Sequence, residues 1–199
     1  MFENLDWKLI ASILAPILSI IATVPYLKDI FAKKTTPHLY TWLIWAISQG
    51  TAAVALLYGG GKLGSIGLLI GTILSLIIFV LSFKYGTKNI TRSDTITLII
   101  ALLAIIVWWQ LNNPLLAVLM VTAIDLLGYI PTFRKLYVEP YSETISSWVI
   151  WIITPSLTLF SNAQYNWLTV TYLAAAVVIN ITVVATIIIR RRVMTMQIT

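Results

Sequence analysis

The sequence has no cysteine, one histidine and few charges: only 10% of its 199 residues are Asp, Glu, Lys or Arg, against about 25% in a soluble domain. The missing cysteines exclude disulfides, thiolate metal sites and cysteine nucleophiles. The single histidine, His38, has no carboxylate companions at ligand spacing, so no metal is expected, and its place beside Pro37 reads as a solvated loop. There is no H-E-x-x-H, no nucleophile elbow and no serine–histidine pairing. The glycine-rich stretch GGGKLGSIGLLIG lacks the strand and the Lys-Ser/Thr pair of a phosphate loop. No enzyme and no cofactor are expected. The last apolar run also has no lysine, which disfavours a retinal Schiff base.

Apolar side chains are what the chain has in excess, at 59% hydrophobic with a mean hydropathy of +0.93. Crossing a bilayer takes about 20 mostly apolar residues, with roughly 17 as the minimum. Seven runs reach that length: 8–25, 39–58, 63–83, 95–111, 115–131, 145–161 and 167–189. The breaks carry turn chemistry, including Thr36-Pro37, Gly59-Gly60-Gly61, Asn112-Asn113-Pro114, and Asn162 with Asn166. The expected protein is an all-α integral membrane protein with seven transmembrane helices in a single membrane domain, residues 1–199. The acidic start, MFENLDWKL, lacks a basic n-region and a cleavage site, so no signal peptide is expected.

The net charge of +6 comes from 13 basic and 7 acidic residues. The basic residues occupy short loops, as membrane topology requires, so nucleic acid is not an expected partner. Eleven of the 13 fall in alternate breaks: Lys28, Lys33 and Lys34; Lys84, Lys88 and Arg92; Arg134 and Lys135; Arg190, Arg191 and Arg192. By the positive-inside rule that side is cytoplasmic, giving an outer amino terminus and an inner carboxy terminus (N-out/C-in). The same residues would meet anionic lipids at the cytoplasmic face. A multi-pass protein of the cell membrane is expected, plasma or inner membrane, with an organelle membrane left open.

Sliding the sequence on itself by 106 residues aligns Pro25 with Pro131, Trp42 with Trp148 and Trp45 with Trp151. Each matched segment reads as a helix end, a charged loop and a new helix opening with W-x-x-W. Residues 8–83 then form one three-helix repeat and 115–189 a second. Three spans reverse the chain's direction, so the extra helix at 95–111 is needed to make the repeats parallel, a 3+1+3 layout of the transporter class with parallel repeats. Two repeats in one chain need no dimer to complete a site, and assembly into a homo-oligomer stays open.

The segments PYLKDIFAKKTTP and PTFRKLY resemble the helix ends of the PQ-loop and SWEET transporter superfamily. That resemblance covers nearly the whole chain through the 3+1+3 layout, and it implies alternating access around a cavity between the repeats. Tyr26 and Thr132 follow the two prolines, where lysosomal PQ-loop carriers have glutamine. Pro155 fits the proline that interrupts the second helix of a SWEET repeat, with Gln49 at the matching place of the first repeat. Asn180 stands where SWEETs hold sugar hydroxyls, opposite Leu74 and its neighbour Ser75.

Asp125 is the only acidic residue inside any predicted span. An aspartate there costs about 2.5–3.5 kcal/mol on insertion scales, and intramembrane ionisable groups mark solute or proton pathways by default. It falls about 15 Å along the fifth helix, near the midplane. It reads as a substrate or proton-coupling carboxylate, or as a structural group bonded to Thr, Asn or Tyr129. Asn180 and Gln49 read as polar groups of the same cavity or as interhelical hydrogen bonds. Trp45 and Trp151 could wall a site, whereas Trp42 and Trp148, a turn nearer the loops, read as an interfacial aromatic belt. Pro25 and Pro131 are expected to end the first and fifth helices, and Pro16 and Pro155 to kink the first and sixth. All four are candidate hinges. Gly60, Gly64, Gly67 and Gly71 should form a small-residue packing face on the third helix. The reading is a carrier for a small polar solute, such as a sugar, vitamin or amino acid, with proton coupling through Asp125 as one option. The competing reading is a non-transporting ligand receptor or trafficking helper of the same fold, the KDEL receptor being an example of such a layout. Apart from Lys8 at the first position of the run 8–25, no Arg or Lys lies inside a predicted span to capture a carboxylate, which weighs against a peptide receptor.

Overall fold

A computed structural model describes residues 7–110 and 113–198, so the acidic start at 1–6 and Asn112 of the third turn lie outside the described residues. Seven α-helices account for nearly all of the described chain: α1 Trp7–Phe31, α2 Leu39–Tyr58, α3 Gly64–Tyr85, α4 Arg92–Trp109, α5 Pro114–Val138, α6 Ile145–Ser161 and α7 Trp167–Ile198. Among the described residues four, α1, α2, α3 and α7, are long and apolar enough to cross a membrane, and α6 is a shorter apolar helix. Their outer faces carry large apolar side chains such as Ile20, Val54, Val80 and Val178, all at least 48% exposed. Such a surface suits hydrocarbon and not water.

The turns follow the local chemistry. Asn113 caps α5, its Oδ1 accepting from the backbone N–H of Leu115 and Leu116, both at 3.1 Å, with Pro114 in the first turn. Asn166 caps α7 in the same manner, accepting from Leu168 and Thr169. Gly60, expected on α3, lies in the turn before it with φ +84°, a left-handed conformation that glycine adopts without strain.

Two expected helix ends are corrected. Pro25 and Pro131 do not terminate α1 and α5, which run on to Phe31 and Val138. A proline removes one backbone donor, but the segments beyond keep a buried face at helical spacing. Tyr26 and Ile30 are buried on α1, and Thr132 and Leu136 on α5. That tertiary burial outweighs the single lost bond. The last helix likewise runs past the predicted 189 to Ile198.

Six helices close a ring in the order α1, α6, α7, α5, α2, α3, each packed on the next, with α3 also touching α6 and α2 touching α7. Exchanging α1 with α5, α2 with α6 and α3 with α7 maps this set of contacts onto itself. The fourth helix stands outside the ring, against α5 and α2.

Candidate functional site

The ring surrounds a cavity of about 110 Å³, lined by residues of all six ring helices and, among the described residues, by none of α4. One water needs about 10–15 Å³ by this measure, so there is room for a small solute. Asp125, Asn180, Gln49, Trp45 and Trp151 all line it, although they come from α2, α5, α6 and α7. Of the prolines, Pro155 reaches the lining, whereas Pro16, Pro25 and Pro131 lie elsewhere in α1 and α5.

Asp125 is buried, and its carboxylate is held by two hydroxyls from other helices. Ser48 of α2 and Tyr172 of α7 both donate to Oδ1, at 2.5 and 3.0 Å. The partners foreseen for it, Thr, Asn or Tyr129, are not those that hold it. Both bonds fall on Oδ1, the other oxygen, Oδ2, has no hydrogen-bond partner among the described residues, and Asp125 lines the cavity. The Trp45 indole donates to the Asp125 backbone carbonyl at 3.4 Å. Tyr129 instead donates to Asn180 Oδ1 at 3.1 Å, while Asn180 Nδ2 donates to the Trp151 carbonyl at 3.0 Å. Gln49 Nε2 donates to Ser75 Oγ at 3.0 Å.

One wall is aromatic. Trp42 lies 5.0 Å from Trp45 and 5.8 Å from Trp151, and Trp148 lies 5.2 Å from Trp151, all nearly edge-on. Trp42 and Trp148 are 5% and 1% exposed, which corrects the interfacial-belt expectation. Both W-x-x-W pairs turn inward, because α2 and α6 stand on opposite sides of the ring and the four indoles cover one another in its centre. Glycine of α3 lines the cavity as well. A Cβ on Gly67 would stand 2.8 Å from Thr158 Oγ1, and one on Gly71 would run into Gln49 Oε1, so a side chain at either place would force its neighbour on α6 or α2 to shift.

Below the aromatic wall, at the end with the lysine-rich loops, lies a buried polar layer. The Lys135 ammonium is paired with Glu143 and also donates to the Thr36 carbonyl at 2.7 Å. The other Glu143 oxygen accepts from the Trp148 indole at 3.0 Å, tying the loop to the cavity wall. Thr144 donates to Asp29 at 2.7 Å and shares a hydrogen bond with Thr35 at 2.8 Å. Asp94, at the start of α4, pairs with Arg134 at 2.7 Å and His38 at 3.3 Å. His38 is 2% exposed, not the solvated loop residue expected. Burial lowers its pKa from the ordinary 6.5, against the opposing pull of Asp94.

Sequence reasoning missed Ser48, Tyr172 and Glu143. The first two carried a weak signal as polar groups within apolar runs, but a serine in a helix usually bonds its own backbone. Glu143 carried none, since a glutamate in a charged loop reads as solvated.

Fold and site together define an α-helical protein with apolar helices of membrane-crossing length around a central cavity that holds one carboxylate. No family model matches the chain, and neither does any curated protein or solved structure.

Proposed function

We propose that this chain is a membrane carrier for a small polar solute, working by alternating access with all seven helices in the bilayer in a 3+1+3, N-out/C-in arrangement like that of the PQ-loop and SWEET superfamily. The observation that carries the reading is the cavity at the centre of the ring, lined by Asp125, whose two side-chain hydrogen bonds both fall on one carboxylate oxygen. Carrier sites lie near the midplane between repeats, and an ionisable group there needs a function or a partner to offset its cost. The two-fold pattern of helix contacts supports two triplets that rock against each other across the α1–α6 and α2–α5 packing. Pro155, next to the cavity in α6, and Pro16, Pro25 and Pro131 are the candidate bending points. The solute would bind to Asp125, Asn180 and Gln49 and pack on Trp45 and Trp151, with no catalytic step.

The absence of native cysteine makes the test clean. A single cysteine is placed at Thr23, on the cavity lining, and vesicles of both orientations are treated with an impermeant thiol reagent. Labelling from either side is expected. Lys34→Cys and Lys62→Cys, in opposite loop sets, should label from opposite sides only. Labelling of the Thr23 position from one side alone under all conditions would argue for a receptor and against a carrier.

A further inference from the structure

We propose that the solute is a protonated amine without a carboxylate, a monovalent organic cation bearing N–H donors on an apolar or aromatic body. This rests on the carrier reading for its biological use, though not for its binding chemistry.

Charge is the first observation. Among the described lining residues Asp125 alone is charged, and its carboxylate keeps one oxygen without a protein partner. Lys135, which is buried, and Arg134, which is partly buried, are already paired with Glu143 and Asp94 in the layer beyond the tryptophans. A cation in the cavity would therefore complete a charge pair in a low-dielectric site. An anion or an amino-acid carboxylate would meet a like charge and no counter-ion.

Hydrogen-bond polarity points the same way. The hydroxyl protons of Thr23 and Thr158 go to carbonyls of their own helices, Ser19 at 2.8 Å and Thr154 at 3.0 Å. Those of Tyr129 and Tyr172 go to Asn180 and Asp125. With their protons committed, these four hydroxyls face a ligand as acceptors, alongside the free carboxylate oxygen. A solute bearing N–H donors pairs with these acceptors.

The aromatic wall adds the third observation. Indole rings attract cations placed over the ring face within about 6 Å of the centroid, and four of them line the same cavity as the carboxylate. Beside an engineered cavity of about 150 Å³ that takes benzene, the volume of about 110 Å³ suits a body on the order of five non-hydrogen atoms.

The test compares isosteres that differ in one group. Tyramine, tyrosol and tyrosine present an ammonium, a hydroxyl and a zwitterion on the same ring; ethanolamine, ethylene glycol and β-alanine repeat the comparison without the ring. Binding to the purified full chain at pH 7 is read by tryptophan emission and by thermal shift. Within at least one set the amine is expected to bind at least about tenfold tighter than its neutral and zwitterionic partners, the size of one charge-assisted hydrogen bond. In Asp125→Asn that preference should disappear while weak binding of tyrosol persists. The asparagine Oδ1 still accepts from Ser48 and Tyr172, so the variant should melt within a few degrees of the parent. Neutral partners that bind as tightly as the amines, an amine preference that survives Asp125→Asn, or no binding by any of the six would each overturn the proposal. The thiol-labelling experiment is independent of the probe. Two-sided labelling without amine preference removes this inference and leaves the carrier, whereas one-sided labelling with amine preference removes the carrier and leaves the site.

Discussion

The two helix triplets, α1–α3 and α5–α7, share a scaffold and differ where it matters. At the 106-residue offset, Trp42 and Trp45 correspond to Trp148 and Trp151, and all four line the cavity. Yet Asp125 corresponds to Ser19, Asn180 to Leu74 and Pro155 to Gln49, and these also line it. Tyr172, which holds the carboxylate, corresponds to Ile66, an exposed apolar residue at 43%. Repetition builds the ring and its aromatic wall, while departure from repetition supplies one charge and the groups that orient it. The same contrast holds in the charged layer. Lys135 and Asp29 correspond, and each reaches across to the other triplet's loop, Lys135 to Thr36 and Asp29 to Thr144.

That last pair gives the sharpest way to break the comparison. Lys135→Ala leaves Glu143 buried without its counter-charge and should cost about 3–5 kcal/mol of stability. Asp29→Ala removes one hydrogen bond at a half-buried site and should cost about 1 kcal/mol. Chemical denaturation of both variants in one detergent checks the ratio, and equal losses would mean that the two sides of the layer are equivalent.

A smaller effect is expected at Gly128, whose counterpart is the fully buried Ala22. A Cβ on Gly128 would lie 2.9 Å from Trp45 Nε1 and 3.1 Å from Ile44 Cγ2. Those groups are fixed by neighbouring rings and helices, so Gly128→Ala should cost about 1–3 kcal/mol by overpacking. It should also shift the tryptophan emission, because Trp45 must move. Ala22→Gly should cost about 1 kcal/mol, mainly through helix propensity, with the emission unchanged.

The smallest effect is pH dependence at His38, which corresponds to Thr144. The folded pKa of His38 lies below 6.5, so the unfolded chain binds the proton better. Its favourable contribution is present above pH 6.5 and is lost as pH falls through that value toward the folded pKa, at no more than about 1.4 kcal/mol per pH unit. Arg134 and Lys135 oppose its protonation, and Asp94 favours it. Thermal unfolding at pH 7.5 and 5.5 should show a drop that His38→Asn reduces, and an identical drop in both proteins would assign the dependence to other groups.

The W-x-x-W repeat and the isolated Asp125 were legible because the cost of a charge in an apolar run, and a match at constant offset, are properties of the chain itself. The continuation of α1 and α5 past Pro25 and Pro131 was not legible, because local rules stop a helix there and only the burial of Tyr26, Ile30 and Leu136 reverses them. The inward turn of Trp42 and Trp148 was hidden for a related reason. A tryptophan near a helix end suits an interface or a core equally well, and the choice depends on which helices are neighbours.

By itself the sequence determined that the chain is helical and apolar, where its charged loops lie, that it carries an internal repeat, and that a single carboxylate stands apart in an apolar run. Each follows from length, periodicity or transfer cost along one strand of chain. Only the tertiary structure decided the ring order α1, α6, α7, α5, α2, α3, the partnership of Ser48 and Tyr172 with Asp125, and the burial of His38 and Glu143. Those depend on residues far apart in the chain meeting across the bundle, as Ser48 and Tyr172, 124 positions apart, do when both bind the same oxygen, and which helices become neighbours is fixed by packing that no local segment contains.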